Sequence, residues 1–300
     1  MKIVTHRFRG FSERENSFQG FRNALNAGVT AFELDVRLTL DGVPVINHDR
    51  HTQTSGGRKV DLVSNNFLDI ESVFGGSDRL KTLMTLEEAL DLFSSMKQEQ
   101  SKIFVDIKDF GEEEKILNLI KDRGLNENVV VVSWLPEVLF GIHRIDPHLP
   151  LCFSHNYISS RLQFDLMKEF LTSNAIKHVI SGLPSVANPP SAAEIKNTTF
   201  FFEEYNEREN VPGRVVSTKR DFEHTLNGPV RGRLLDIITE SKGYLCIQYK
   251  MLDEKYASYY TKAPGIIPYS INDFDSLERL PMNLDYPFIL SDNPEMVSRF

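Results

Sequence analysis

The chain has 300 residues, 41% of them hydrophobic and 25% charged, with a formal net charge of −8. That length suits one large globular domain or two small ones, and a single α/β barrel of about 250 residues fits with room for an insertion. The acidic balance, without a basic block or a basic-aromatic run, excludes nucleic acid as a general partner while permitting a locally positive phosphate cleft.

The N-terminal "MKIVTHRFRG" reads as a strand rather than a signal peptide, and no run reaches the roughly 18 apolar residues of a membrane span. A cytoplasmic location is therefore expected. "KIVTH" supplies a first strand, and "SFQGFRNALNAG" a helix with Ser17 as N-cap and Gly28 just past its end. "TAFELDVRL" follows as a second strand, and "DGVPVINHD" as an extended piece after an Asp41-Gly42 turn. "TLEEALDLFSSM" reads as a helix opened by a capping box of Thr85 and Glu88. "KIFVDIK" is a strand, "EEEKILNLIKDRG" a helix stopped by Gly124, and "NVVVVSW" a strand.

"LPEVLFGIHRI" is a helix with Pro136 in its first turn, and "LPLCFSH" another strand. The C-terminal "GYLCIQY", "DEKYASYYTKA", "GIIPYSIN" and "PFILSD" give strand, helix, strand, strand. This alternation predicts a parallel sheet built from βα units, and eight strands complete a (β/α)8 TIM barrel. The rhythm weakens across residues 156–242, where "NPPSAAEIKNTTFFFEEYNERENVPGR" reads as an insertion or an elaborated βα loop within one domain spanning residues 1–300. Cys152 and Cys246 lie in apolar strands without metal-type spacing and read as buried thiols.

Two apolar strands carry charge in a repeated way. Residues two apart on a strand point to one side, so Glu33 and Asp35 project together, as do Asp106 and Lys108. In a barrel these positions reach the carboxyl rim where chemistry is done. Three carboxylates without nearby His or Cys ligands are hard oxygen donors that favour Mg2+ or Ca2+ over Zn2+ or copper. With one divalent cation, Lys108 and Arg7, the set has a single net positive charge and suits a monoanionic phosphodiester. Internal ion pairs to Lys108, Arg7 or Arg37 are the plainer alternative. His6 ends the first strand and His48 follows "VPVIN"; on the same face as the acids, the two imidazoles form a general acid/base pair. Of the remaining histidines, His51 and His155 fall nearest the expected rim.

Assembled, "HRFRGFSERENS", "FELDVRLTLDGVPVINHD" and "VDIK" resemble the glycerophosphodiester phosphodiesterase family, whose pattern runs HRG, PENT, E-x-D-V…T-x-D-G-x-x-V…HD, then E-x-K. The match is close over residues 3–49 and looser through Lys108, with weaker echoes in "IPYSIN" and "FILSDNP". The resemblance implies metal-assisted cleavage of a glycerophosphodiester, a small-molecule substrate, to sn-glycerol 3-phosphate and an alcohol. It implies His6 and His48 as the acid/base pair, Glu33, Asp35 and Asp106 as ligands of one divalent cation, Mg2+ or Ca2+, and Arg7 and Lys108 as phosphate-binding cations. Four positions depart from the pattern. Phe8 stands for glycine and is expected to narrow the pocket; Asp106 stands for glutamate, one methylene shorter. Arg14 stands for proline and Ser270 for tryptophan, with Trp134 as an aromatic able to compensate at the rim.

Two rivals share the pattern. A sphingomyelinase D-like phospholipase also has aspartate in the D-x-K position, but carries His-Gly where this chain has His48-Asp49, and a cysteine-rich loop that is absent here. A non-catalytic barrel that binds phosphodiesters would retain affinity without turnover.

Overall fold

The computed structural model describes residues 1–74, 83–109, 111–134, 136–157, 201–202, 208–211, 214–217, 225–226, 230, 232–252 and 264–298. Eight strands run parallel: β1 (Lys2–His6), β2 (Ala31–Leu38), β3 (Lys102–Ile107), β4 (Val129–Ser133), β5 (Leu151–Tyr157), β6 (Tyr244–Gln248), β7 (Gly265–Tyr269) and β8 (Phe288–Ser291). They lie in the order β7-β6-β5-β4-β3-β2-β1-β8. Across the remaining seam, Ile266 N donates to Asp285 O and Ile271 N to Leu290 O, both at 2.9 Å. The result is the nearly closed (β/α)8 barrel that the alternation predicts.

Each strand divides its side chains between two cores. Phe32, Leu34 and Val36 of β2 and Ile103, Val105 and Ile107 of β3 face outward and pack under the helices. Val4, Ala31, Phe104, Val130, Cys152, Cys246, Ile267, Phe288 and Leu290 form a separate interior cluster. At its base Phe104 meets Phe288 edge-on at 5.0 Å, and Tyr244 meets Phe288 at 5.6 Å. This aromatic plug packs the lower end of the barrel, so among the described residues the interior opens toward the carboxyl rim.

The helices are α1 (Phe18–Asn26), α2 (Phe67–Phe74), α3 (Leu86–Met96), α4 (Glu113–Lys121), α5 (Pro136–Ile145), α6 (Gly232–Glu240), α7 (Phe274–Glu278) and α8 (Pro294–Ser298). Ser17 caps α1 by accepting from Gly20 N, and the Thr85–Glu88 capping box opens α3 in both directions. Among the described residues, no helix is long and apolar enough to cross a membrane.

Between β2 and α3 the chain makes an excursion over the rim. Pro44–Ile46 pairs antiparallel with β2, His51–Gln53 pairs with Lys59–Asp61, and α2 packs on them through Val45, Val60, Leu62, Ile70 and Phe74. Most of the expected insertion at 156–242 lies outside the described residues. Its described parts include Thr225–Leu226, which pairs with the end of β5 and with Phe201–Phe202, and a hairpin of Arg208–Val211 with Arg214–Ser217. The helix expected over "DEKYASYYTKA" also falls outside the described residues.

Candidate active site

Strand alternation delivers the acids as the sequence predicts. Glu33 and Asp35 point inward from β2, and Asp106 stands beside Asp35 in register on β3. Oxygens from Glu33, Asp35 and Asp106 lie within 4.8 Å of one another, and all three residues are buried. The aspartate at 106 therefore reaches the cluster despite its shorter side chain.

The predicted cations converge on the same point. Arg7 Nε lies 2.9 Å from Asp35 Oδ2, and Lys108 Nζ lies 2.8 Å from Asp35 Oδ1 and 2.5 Å from Asp106 Oδ2. Asn16 Nδ2 donates to Asp35 Oδ2 at 2.7 Å. Arg37 takes no part in these pairs.

These contacts set opposite titrations on neighbouring groups. Burial, and then the charges of Asp35 and Asp106, push the Glu33 carboxyl well above its usual range. Burial acts the same way on Asp35, but Arg7 and Lys108 overcome it and hold that carboxyl well below. The Lys108 ammonium is desolvated, yet Asp106 and Asp35 keep its pKa raised. Crowded acids with too few counter-charges define a cation site. The buried Asp106 Oδ1 makes no hydrogen bond. An orphaned carboxylate oxygen inside a hard-donor cluster is what a divalent cation satisfies, so these residues fit one.

The turn after β1 has an unusual backbone. Arg7 and Phe8 both adopt left-handed conformations, with φ of 54° and 58°. Arg7 N donates to both Glu33 O and Glu33 Oε2 at 3.1 Å, tying the turn to β2. This strained path aims Arg7 into the site, and it turns Phe8 away. Phe8 is 0% exposed and stacks on Phe21 with centroids 4.5 Å apart and an interplanar angle of 10°. The expected narrowing of the pocket does not occur: the ring lies in the core beneath the turn.

Each predicted histidine has a carboxylate behind it. His6 Nδ1 lies 2.6 Å from Asp292 Oδ1, leaving Nε2 toward the acids, 3.8 Å from Glu33. Burial lowers the His6 pKa against the opposing pull of Asp292, whose own carboxyl is held far below its ordinary range by His6 and Arg9 in spite of desolvation. His48 Nδ1 lies 2.8 Å from Asp49 Oδ1.

Asp292 and Asp109, which no local pattern singles out, hold this frame together with Arg37. Asp292, in the "FILSDNP" echo, meets His6 across 286 positions, a pairing that carries no local signal. Arg37 and Asp109, both buried, pair at 2.8 Å, and Arg37 Nε donates to His48 O at 2.9 Å. Asp109 also accepts from Leu38 N at 3.0 Å. The inward phase of Arg37, two residues beyond Asp35, was the available signal.

Two cavities meet at His48. The first, about 200 Å3, descends into the barrel between His6, Glu33, Asp106 and Lys108 and ends on an apolar floor that includes Val4, Phe104, Cys152 and Cys246. Both cysteines are buried free thiols, as expected. Trp134 lines this cavity from a buried position, and Tyr269 lines it too, whereas the adjacent Ser270 does not. The second cavity, about 360 Å3, lies under the rim excursion and includes Arg14, His48, His51 and Lys59. The His155 side chain lies outside the described residues.

The rim of this parallel barrel thus gathers a buried acidic triad, two cations and two carboxylate-backed imidazoles. Residues 6–193 match the model of the glycerophosphoryl diester phosphodiesterase family. The chain belongs to that family. A human glycerophosphodiester phosphodiesterase 1 is 28% identical over 169 residues, 52% of this chain and 49% of the relative. An enzyme named glycerophosphodiester phosphodiesterase from Caldanaerobacter subterraneus is 28% identical over 159 residues, 50% of this chain and 64% of its own. The chain thus spans about half the length of the first of these curated relatives and under two-thirds of the second. Among solved structures, a putative glycerophosphoryl diester phosphodiesterase from Silicibacter pomeroyi matches all of this chain and 92% of its own, at a TM-score of 0.63 and 15% identity. An Oleispira antarctica phosphodiesterase in complex with the product sn-glycerol-3-phosphate covers 100% of this chain and 96% of its own, at a TM-score of 0.59 and 17% identity. At these identities the structures show the shared fold.

Proposed function

We propose that this protein, taken as a single barrel domain, hydrolyses glycerophosphodiesters to sn-glycerol 3-phosphate and an alcohol. One observation carries the reading: Glu33, Asp35 and Asp106 converge within 4.8 Å, with a buried Asp106 oxygen left without a hydrogen bond, beside His6 and His48. Glu33, Asp35 and Asp106 hold one divalent cation, Mg2+ or Ca2+, in keeping with their hard oxygens. Such a cation supplies charge stabilisation at the phosphoryl oxygen.

The chain's own residues do the rest. Arg7 and Lys108 bind the non-bridging phosphate oxygens and stabilise charge there in the transition state. Asp292 orients His6 and Asp49 orients His48, so each ring presents its Nε2 to the pocket and moves a proton at that atom. One histidine takes the proton of the attacking hydroxyl or water; the other protonates the leaving alcohol. The aromatic plug and apolar floor exclude bulk water from beneath the phosphate. The Oleispira complex with sn-glycerol-3-phosphate supports the choice of product class.

The test is release of glycerol 3-phosphate from a panel of glycerophosphodiesters, with Mg2+, with Ca2+ and with EDTA, alongside His48→Ala. Metal-dependent release that the substitution abolishes is expected. Binding of the diesters without release from any of them would overturn the reading in favour of a binding barrel, and release of ceramide phosphate from sphingomyelin alone would overturn its substrate.

A further inference from the structure

We propose that the second cavity is the head-group subsite and that it selects leaving alcohols carrying a negative charge of their own; this rests on the phosphodiesterase reading above. The two cavities share His48. The inner one, about 200 Å3 and closed below by the barrel plug, has room for a glycerol phosphate and little more. A diester whose phosphate faces Arg7 and Lys108 places its second ester arm past His48, in the 360 Å3 cavity under the rim excursion.

The cavity is lined by two acids, Glu15 and Asp49, and two cations, Arg14 and Lys59. Its acids are already engaged: Glu15 by Arg7 at 3.3 Å and Arg9 at 2.7 Å, Asp49 by His48 at 2.8 Å. Lys59 is exposed on its hairpin strand and has no ionic or hydrogen-bonding partner among the described residues. Arg14 is held in place by Thr52 Oγ1 at 2.5 Å and Gln53 O at 3.1 Å, which lays its guanidinium along the wall. No phenylalanine, tyrosine or tryptophan ring lines the cavity among the described residues, so a quaternary ammonium finds no cation–π cage there. Cationic side chains beside acids that are already engaged favour an anionic alcohol. The departure at Arg14 from the family's proline supplies one of these cations.

The experiment compares kcat/KM for glycerophosphoinositol 4-phosphate, glycerophosphoglycerol and glycerophosphocholine at low ionic strength with saturating metal. The anionic ester is expected to exceed the choline ester by about tenfold or more, and the excess is expected to shrink as salt rises from 50 to 500 mM. Lys59→Glu, a change of two charge units at an exposed position, is expected to move that ratio about tenfold toward choline, while Lys59→Arg preserves the preference. A wild-type preference for choline, or a ratio unmoved by both Lys59→Glu and salt, overturns the subsite and leaves the phosphodiesterase reading standing. Release from none of the three overturns both.

Discussion

Replacing Phe8 distinguishes a pocket residue from a core residue sharply. Its ring is 0% exposed, stacked on Phe21 at 4.5 Å and tilted against Phe32 at 6.5 Å, within the largest buried cluster. Phe→Ala at such a site costs about 3–5 kcal/mol, the lost transfer energy plus the cavity left behind. The stacked pair adds about 0.5–1.5 kcal/mol within that range. Glycine removes the left-handed strain at φ 58°, worth about 1–2 kcal/mol, so Phe8→Gly should cost about 1–4 kcal/mol, less than Phe8→Ala. Urea unfolding followed by the fluorescence of Trp134, the single tryptophan of the chain, measures both. A loss below about 1 kcal/mol for Phe8→Ala, or a rise in kcat with stability intact, would refute the argument and return the ring to the pocket.

Three further outcomes follow from the same geometry. Arg37→Met leaves Asp109 buried without its partner, and should cost about 3–5 kcal/mol of stability and lower kcat by up to about 100-fold with KM little changed. Adding Asp109→Leu should recover part of the lost stability, Leu38 N having lost its acceptor, without restoring kcat, because His48 O still lacks its donor. Raising Mg2+ or Ca2+ should raise Tm, by the equivalent of about 2.7 kcal/mol when the free ion is at 100 times Kd, and Asp106→Asn should weaken that response. Asp61 is held below the usual carboxylate range by Arg50, against the effect of burial. A depressed carboxyl stabilises above its unfolded pKa of about 3.9 and loses this as pH falls through the folded value, so the stability gap between wild type and Asp61→Asn should be open at pH 7 and close below about pH 3.

Much of this architecture was legible from local patterns. Apolar alternation marks all eight barrel strands, and the capping residues Ser17 and Thr85 open helices where their side chains can reach the second or third backbone N–H. The acids were readable because two-residue spacing on a strand survives folding unchanged. What escaped is set at long range or by short elements. The Arg37–Asp109 pair spans 72 positions, and the hairpin pairing His51–Gln53 with Lys59–Asp61 rests on three-residue strands too short to show a period. Phe8 misled because its identity says nothing of direction: two successive left-handed residues turn the ring inward, and that is a property of the backbone. At the end of β7 it is Tyr269, not Ser270, whose side chain lines the cavity, a choice set by strand phase.

The His6–Asp292 pair divides labour along the chain. Glu33, Asp35 and Asp106 lie on the second and third strands and Arg7 and Lys108 directly after the first and third, whereas the carboxylate that steadies His6 follows the last. Under the proposed function, a growing polypeptide would have its ion-holding half early, while the proton-handling half would stay unfinished until β8 docks beside β1. Hydrolysis would then report ring closure, and ion affinity its first arc. A polypeptide cut ahead of β8 should keep the second property in part and lack the first.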